Sequence, residues 1–343
     1  MSNAKDDNDV LKEHGRENLD PMADLVPLYP KGISEHLETL KACQLARFYD
    51  DATQQMLNRA LGKERPLRLP WPAANAALGG GLWPGLHVLV GNTGSGKSQL
   101  ALQAALYAAN GRNNYNGNNV PVLYLGLELG HTDLVARLLG LQAGMRWSDL
   151  YLGKSEQRLS EAMEAGAHIQ NCPFFLDVSP PMGWDYATLY DRVKALRYLF
   201  PEGPLLIVMD YLQLVAGEGR DLRERIGRAS YQARAAARDF DATVLVLSST
   251  ARENYASLCD EKLGDGPTIQ FVGLGKEAGE IEYAADSVMA LASKPPSDSD
   301  EAPASRTVYL AIAKVRAGRP GWVELRFDGC RFRDPTEQPG VSW

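Results

Sequence analysis

Two hydrophobic patterns alternate along the chain, and they predict strands and helices in turn. Short unbroken apolar runs are typical of strands buried on both faces of a parallel sheet. They predict strands at 88–90, 120–128, 174–177, 204–210 and 243–247, and we expect others at 287–291, 307–314 and 321–327. Between the strands, apolar residues recur at helical spacing over 99–109, 134–141, 155–170, 186–199 and 223–240. This alternation indicates an α/β domain, placed at residues 65–335, with a mostly parallel, twisted sheet flanked by helices.

The N-terminal part of the chain shows a different pattern. Residues 1–33 are polar and contain several prolines, which predicts a mobile lead-in. From Ser34 to Leu61, apolar residues at helical spacing predict one amphipathic helix, within a helical arm at 34–64. Its apolar stripe could pack on its own domain or on a neighbouring subunit. Residues 65–85 are expected to be a loop-strand segment, and 336–343 a tail.

Composition and charge narrow the class of protein. The chain has 343 residues, 45% hydrophobic and 23% charged, as expected for a soluble globular protein. A net charge of −7 argues against a protein that coats nucleic acid generally, but not against a channel lined by a few local cations. The four cysteines are scattered, which favours free thiols in a reducing cytosol. The sequence contains neither a membrane-length apolar run nor a signal peptide, so we expect a cytoplasmic protein.

The strongest chemical motif follows the first buried strand. Residues 91–98 read G-x-x-x-x-G-K-S between that strand and a helix, which is the context of a phosphate-binding loop. Lys97 is expected to reach the β- and γ-phosphates, and the Ser98 hydroxyl to hold Mg²⁺. A chance glycine-rich turn would not require a strand before it and a helix after it. The sequence therefore predicts a nucleotide site formed by Gly91, Asn92, Thr93, Gly94, Ser95, Gly96, Lys97, Ser98 and Gln99.

Two carboxylates end other predicted strands. Asp210 follows the run 205–209, and Glu128 follows 122–127. Because parallel strands present ligand sites at their carboxyl ends, Asp210 is expected to be the second Mg²⁺ anchor and Glu128 to polarise the attacking water. For Glu128, a solvated carboxylate at a strand end explains the residue type equally well.

Several segments resemble the ATPase domain of the DnaB-type replicative helicases, within the RecA-like superfamily. Residues 122–129, VLYLGLEL, resemble the strand of that family ending in S-L-E-M, whose Glu is the catalytic base. Residues 206–214, LIVMDYLQL, resemble its I-V-I-D-Y-L-Q-L segment. Similar matches occur at 279–286, 311–318 and 325–329, in the family's order. The resemblance covers roughly residues 66–333 and implies a RecA-like P-loop ATPase that uses ATP and Mg²⁺.

The resemblance also implies a site shared between subunits. In that family the Lys and Arg of the segment matched by 311–318 are fingers that reach a neighbour's γ-phosphate, which assigns Lys314 and Arg316 as catalytic. Without the family match, they would be two surface charges on an edge strand. As fingers they imply a homo-oligomeric ring, with six subunits as the family expectation. The arm at 34–64 would then fit on the adjacent subunit.

The chain departs from the family in two places. Ser249 stands where the family's third strand carries a Gln that senses the γ-phosphate, so coupling to DNA is expected to be weakened or rerouted through Thr250. Only about 65 residues precede the ATPase core, too few for the family's primase-binding domain. We therefore expect a phage, plasmid or mobile-element relative, with any loader or replication partner unknown.

Single-stranded DNA is the expected polymer, and the family's DNA-contacting loops correspond to 216–224 and 254–276. Their cations could line a channel or be solvated loop charges; they are Arg220, Arg223, Lys262 and Lys276, with Arg225 just beyond the first loop. The leading hypothesis is an ATP-hydrolysing helicase that forms a ring. The alternative is a RecA-like nucleotide switch or regulatory assembly protein that does not unwind DNA. A recombinase-type filament is weaker because 282–286 and 314–318 resemble helicase segments.

Overall fold

The computed structural model describes residues 34–111, 118–178, 186–210, 222–250, 254–260, 263–272, 274, 283–293 and 305–335. The predicted lead-in at 1–33 and tail at 336–343 lie outside these residues. The chain divides into two compact units, Met1–Glu64 and Arg65–Trp343. Within the described residues, no helix is long and apolar enough to cross a membrane.

In the described part of the first unit, residues 34–64, there are two helices where the sequence predicted one. Helix α1 spans Ser34–Ala42 and α2 spans Ala46–Ala60. The prediction of a single helix is wrong because the backbone makes a tighter turn at Cys43. The Cys43 N–H donates to both the Thr39 and Leu40 carbonyls, at 3.1 and 3.0 Å. Such a turn preserves most of the apolar spacing, so the periodicity does not reveal it. No residue of α2 is buried.

The second unit is built on one nine-stranded sheet. Its strands are β1 Gly85–Gly91, β2 Val122–Gly126, β3 Phe174–Asp177, β4 Leu206–Asp210, β5 Thr243–Ser249, β6 Ser287–Ala292, β7 Arg306–Val315, β8 Gly321–Phe327 and β9 Phe332–Arg333. Across the sheet they follow the order β3-β2-β4-β5-β1-β6-β7-β8-β9. The first six strands in this order, from β3 to β6, are parallel to one another. The sixth, β6, also pairs antiparallel with β7, and the pairs β7–β8 and β8–β9 are antiparallel too. The fold prediction of a mostly parallel α/β sheet is confirmed.

Helices cover both faces of this sheet. They are α3 Pro72–Ala77, α4 Lys97–Ala109, α5 His131–Ala143, α6 Trp147–Tyr151, α7 Glu156–Ala165, α8 Tyr186–Leu199 and α9 Leu222–Asp239. Two of them, α3 and α6, were not predicted because each is too short to show a helical period. The predicted helix 155–170 ends early at Gly166 and continues as the 3₁₀ turn Ala167–Asn171.

Alternating strand residues supply two hydrophobic cores, one on each face of the sheet. Val88 and Val90 of β1 pack in one core with Ala233 of α9. Leu89, which points the other way, packs in the second core with Leu102 of α4. This double burial explains why the central strands are apolar throughout.

Strand register brings four chain segments together at one edge of the sheet. Gly91 at the end of β1 pairs with Ser249 at the end of β5. Gly126 at the end of β2 pairs with Asp210 at the end of β4. The segments that follow these parallel strands therefore meet at the same carboxyl edge, where α/β sheets hold their ligands.

Candidate active site

The loop between β1 and α4 has the backbone of a phosphate-binding turn. Gly96 immediately precedes α4 with φ +105°, a conformation that L side chains rarely adopt. A Cβ at Gly96 would also lie 2.8 Å from Phe332 Cζ, so this position requires glycine on both grounds. The helix begins at Lys97, and its first backbone N–H groups face the loop, as anion binding requires.

Lys97 folds back over this loop. Its Nζ donates to the Gly91 carbonyl at 2.7 Å and to the Asn92 carbonyl at 2.9 Å. Burial lowers the pKa of Lys97 to about 8, against the opposing negative charges of Asp210 and Glu128. The ammonium group is therefore hydrogen-bonded to the loop and close enough to the two carboxylates for their charges to act on its pKa.

Asp210 is the buried carboxylate of the site, at 2% exposure. The Tyr124 hydroxyl donates to its Oδ2 at 2.7 Å, and the Ser98 side chain also hydrogen-bonds to it. Burial raises the pKa of Asp210, and these two hydrogen bonds oppose that rise. Ser98 and Asp210, predicted together as Mg²⁺ anchors, are thus in direct contact.

Glu128 lies two residues beyond β2, on an exposed position of the loop. The preceding residue, Leu127, donates its N–H to the Asp210 carbonyl at 2.8 Å, which ties the two strand ends together. Partial burial and the charge of Asp210 raise the pKa of Glu128, while Lys97 and Arg137 lower it. A carboxylate with a raised pKa beside a cation has the environment of a general base or a water-orienting group.

These residues line one cavity of about 430 Å³. The volume falls in the range of small-ligand sites. Ser249 is also in its wall. The lining consists of Thr93, Gly94, Gly96, Lys97, Ser98, Gln99, Glu128, Leu129, Arg137, Trp147, Asp210, Ser249, Arg306, Phe327 and Gly329.

Arg137 and Trp147 are site residues that the sequence did not reveal. The Arg137 guanidinium carbon lies 3.8 Å from the centre of a Trp147 ring, and its Nε pairs with Asp133 Oδ1 at 2.9 Å. An Asp and an Arg four residues apart are typical of any exposed helix, so this spacing alone did not point to the site. Arg306 and Phe327, on the antiparallel strands β7 and β8, were not predicted either, because the sequence around them does not point to the site.

Gln99, predicted to contact nucleotide, is almost fully buried, at 4% exposure. Its Nε2 donates to the Cys330 carbonyl at 2.8 Å, and its Oε1 accepts from Arg137 Nη1 at 3.4 Å. The side-chain amide therefore links α4, α5 and the β8–β9 turn.

Buried polar atoms around the loop are suited to a polar ligand. Ser95 Oγ, Asn92 Oδ1 and Thr250 Oγ1 are buried and have no hydrogen-bond partner among the described residues. Buried polar atoms are normally paired, and unpaired ones call for a specific explanation. One explanation that fits these residues is a triphosphate bound by the loop, which would give the unpaired atoms a polar partner.

The oxygens of Ser98 and Asp210 suit Mg²⁺ as well. This ion usually takes one or two protein oxygens together with substrate phosphates and water. A cluster of three or more acidic, His or Cys ligands is not needed, and the described part of the chain contains none.

Lys314 and Arg316 lie at the opposite edge of the sheet. Ser287 pairs with Val315 and also with His87, which is four residues before Gly91 on β1. At about 3.3 Å per residue, the two edges are separated by about 13 Å along the strand. The structure therefore does not bring Lys314 or Arg316 into the cavity of their own subunit.

The first predicted DNA-contacting loop, 216–224, lies mostly outside the described residues, whereas most of the second, 254–276, is described. The cations of both loops are mostly at positions that the structure does not describe. Arg220, Lys262 and Lys276 fall there, as does the side chain of Arg223. Arg225, on α9, is described and is half-buried.

Comparison with known proteins identifies relatives of this chain. Residues 75–333 match the family described as DnaB-like helicase C terminal domain. The replicative DNA helicase DnaB of Leifsonia xyli is 27% identical over 261 residues, which are 74% of this chain and 53% of that protein. The replicative DNA helicase DnaC of Bacillus subtilis is 26% identical over 246 residues, 71% of this chain and 50% of that protein. The chain thus spans about half the length of these relatives.

Two solved structures share the fold. One is an ATPase domain that superposes with a TM-score of 0.66 at 19% identity, covering 83% of this chain and 98% of that one. The other is a DnaB-like replicative helicase, described with its interactions with primase, which superposes with a TM-score of 0.67 at 17% identity, covering 91% and 74%. At such identities the likeness supports the RecA-like architecture.

Proposed function

Because this chain belongs to the family of DnaB-like helicase C-terminal domains, we propose that it is the motor of a ring-forming DNA helicase that hydrolyses ATP and translocates on single-stranded DNA. The observation that carries the proposal is the convergence of Lys97, Ser98, Glu128 and Asp210 on one cavity. We also propose that residues 65–335 form the ATPase domain and residues 34–64 a helical arm.

The residues of the cavity divide the work of hydrolysis. Backbone N–H groups of residues 91–98 would hold the phosphates, and Lys97 would exchange its two carbonyl partners for phosphate oxygens. Ser98 and Asp210 would hold Mg²⁺, which supplies neutralising charge to the phosphate oxygens when bound. Glu128 would orient the water that attacks the γ-phosphate in line with the departing diphosphate.

The cations that line the cavity from its own subunit are Lys97, Arg137 and Arg306, and phosphoryl transfer commonly uses a further one from a neighbouring subunit. A cationic finger stabilises the charge of the transition state, and we assign this role to Arg316 with Lys314. Since both lie at the opposite edge of the sheet, they would act on the cavity of a neighbouring copy. This arrangement favours a closed ring, for which we propose six subunits.

The test is the ATPase rate with and without single-stranded DNA across a salt series. Backbone phosphate contacts should make the stimulation by DNA strong at low salt and weak at high salt. A rate that ignores DNA even at low salt would contradict the translocating motor.

One observation favours a second candidate, a nucleotide-dependent switch that does not unwind DNA. Ser249 lines the cavity where the related family carries Gln. The serine hydroxyl lacks the amide group with which a Gln can contact the phosphate and the DNA-facing loop together. Ring assembly that follows ATP binding, combined with a rate indifferent to DNA, would favour this switch. Strand separation in a forked-duplex assay would favour the helicase.

A further inference from the structure

Arg316 does not project freely from the end of β7. Its Nε pairs with Asp286 Oδ1 at 3.0 Å, and its backbone N–H donates to the Asp286 carbonyl at 3.0 Å. One residue therefore contacts both the main chain and the side chain of Arg316.

Asp286 is itself held firmly by the start of β1. Its Oδ2 accepts from the Leu86 N–H at 2.8 Å, and its own N–H donates to the Leu86 carbonyl at 2.7 Å. The two carboxylate oxygens thus have separate partners: one anchors Asp286 to the central strand and the other contacts Arg316.

The contact engages Nε and leaves the end of the guanidinium exposed. Arginine has five N–H donors in a planar fork, and Nε supplies one of them. The Arg316 side chain is 57% exposed, whereas that of Asp286 is 22% exposed. The exposed nitrogens can still reach a phosphate while the Nε contact restricts the rotation of the side chain.

We propose that Asp286 is a positioning residue for ATP hydrolysis, which holds Arg316 in the orientation needed at a neighbouring subunit's γ-phosphate. An ion pair this exposed contributes little to folding stability, so its value lies in geometry. The proposal rests on the finger role assigned to Arg316 above, and the variants below separate the two.

The informative substitution is Asp286→Asn. Asparagine keeps an oxygen for the Leu86 N–H but places an amide N–H₂ opposite Arg316 Nε, where two donors cannot bond. Asp149→Asn is the matched control, because Asp149 is 23% exposed and pairs with Lys154 Nζ at 2.7 Å on another surface. Full-length protein is used for every variant, with melting temperature and ATP-analogue binding measured alongside kcat.

If Asp286 positions the finger, Asp286→Asn lowers kcat by about 10- to 100-fold, the range typical when a group that orients another is lost. ATP-analogue binding and melting temperature stay near those of Asp149→Asn. The double variant Asp286→Asn/Arg316→Ala is no slower than Arg316→Ala alone, because Asp286 acts only through Arg316.

Two results would overturn the proposal. One is an Asp286→Asn protein that turns over like Asp149→Asn while Arg316→Ala is inactive. The other is a double variant well below Arg316→Ala, which would show that Asp286 acts independently of the finger. If Arg316→Ala itself retains full activity, the finger assignment is wrong, and the inference about Asp286 is wrong with it. This outcome is seen in Arg316→Ala rather than in Asp286→Asn, so the two kinds of failure can be told apart.

Discussion

At the scale of single residues, Lys97 is the side chain on which the proposed nucleotide site depends most. Its Nζ lies between two loop carbonyls and is close enough to Asp210 and Glu128 for their charges to affect its pKa. Lys97→Ala should abolish ATP turnover while the melting temperature stays near that of wild type. Lys194→Ala, which removes an exposed lysine of α8, is the control and should retain wild-type turnover. Continued turnover by purified Lys97→Ala would contradict the assignment of the loop.

The same lysine predicts a pH dependence. Lys97 must be protonated to attract phosphate, and burial lowers its pKa to about 8 in the nucleotide-free protein. Because kcat/KM reports the free enzyme, it should fall as pH rises through about 8, approaching tenfold per pH unit. The fall in kcat should begin at higher pH, since bound phosphates stabilise the ammonium form. A kcat/KM that is level up to about pH 10 would contradict this description.

Residues at strand ends were the predictable part of the site. Asp210 and Glu128 follow apolar runs, and parallel strands bring their carboxyl ends together, so the sequence predicted the two acids as neighbours. Arg137 and Trp147 were not predictable, because their contact depends on how α5 and α6 pack. A surface-type Asp–Arg spacing carries no information about the aromatic ring that the guanidinium contacts.

At the scale of elements, the hairpin between β7 and β8 is fixed by close backbone packing. The Arg319 N–H donates to the Ala77 carbonyl at 2.8 Å, next to the end of α3. A Cβ at Gly79 would run into the Ala317 carbonyl oxygen. The end of α3 therefore sets the position of the turn that follows Arg316.

Gly79→Ala should displace this hairpin and lower ATP turnover by about tenfold or more, because small misplacements of catalytic groups are costly. ATP-analogue binding should persist, since the cavity is at the other edge of the sheet. Gly153→Ala is the control: its φ of +62° resembles the +74° of Gly79, but nothing lies within 4 Å of the added Cβ. Both variants carry a left-handed strain of about 1–2 kcal/mol. Equal turnover in the two would show that the hairpin position is unimportant.

Long elements were predictable and their junctions were not. The apolar runs of β1, β2, β4 and β5 needed no tertiary information, since burial on both faces leaves a continuous hydrophobic pattern. Strand β9 has two residues, and its position depends on Gln103, whose Nε2 donates to the Phe332 carbonyl at 2.7 Å across 229 residues. No local pattern encodes such a contact. The break at Cys43 escaped because helical spacing nearly continues through it.

At the scale of the whole molecule, the two halves of the proposed catalytic apparatus lie at opposite edges of one sheet. The loop, Lys97 and Glu128 are at the carboxyl edge, and Arg316 is at the other. Because both edges belong to one rigid sheet, the two halves of the proposed apparatus cannot meet within one subunit. They can meet only between two copies of the chain. Such a contact joins different surfaces of two subunits, which is the geometry that generates closed rings or, where the rotation does not close, open filaments.

If each active site is shared by two subunits, as we propose, a mixture of two inactive variants should recover activity. Arg316→Ala keeps an intact cavity, and Glu128→Ala keeps an intact finger. Random co-assembly restores both at about a quarter of the junctions, so a shared site should give clear ATP turnover in the mixture although each variant alone has almost none. A mixture of Lys97→Ala with Glu128→Ala, both damaged in the same cavity, should stay inactive. Turnover in the first mixture no higher than the sum of its two components would contradict a shared site.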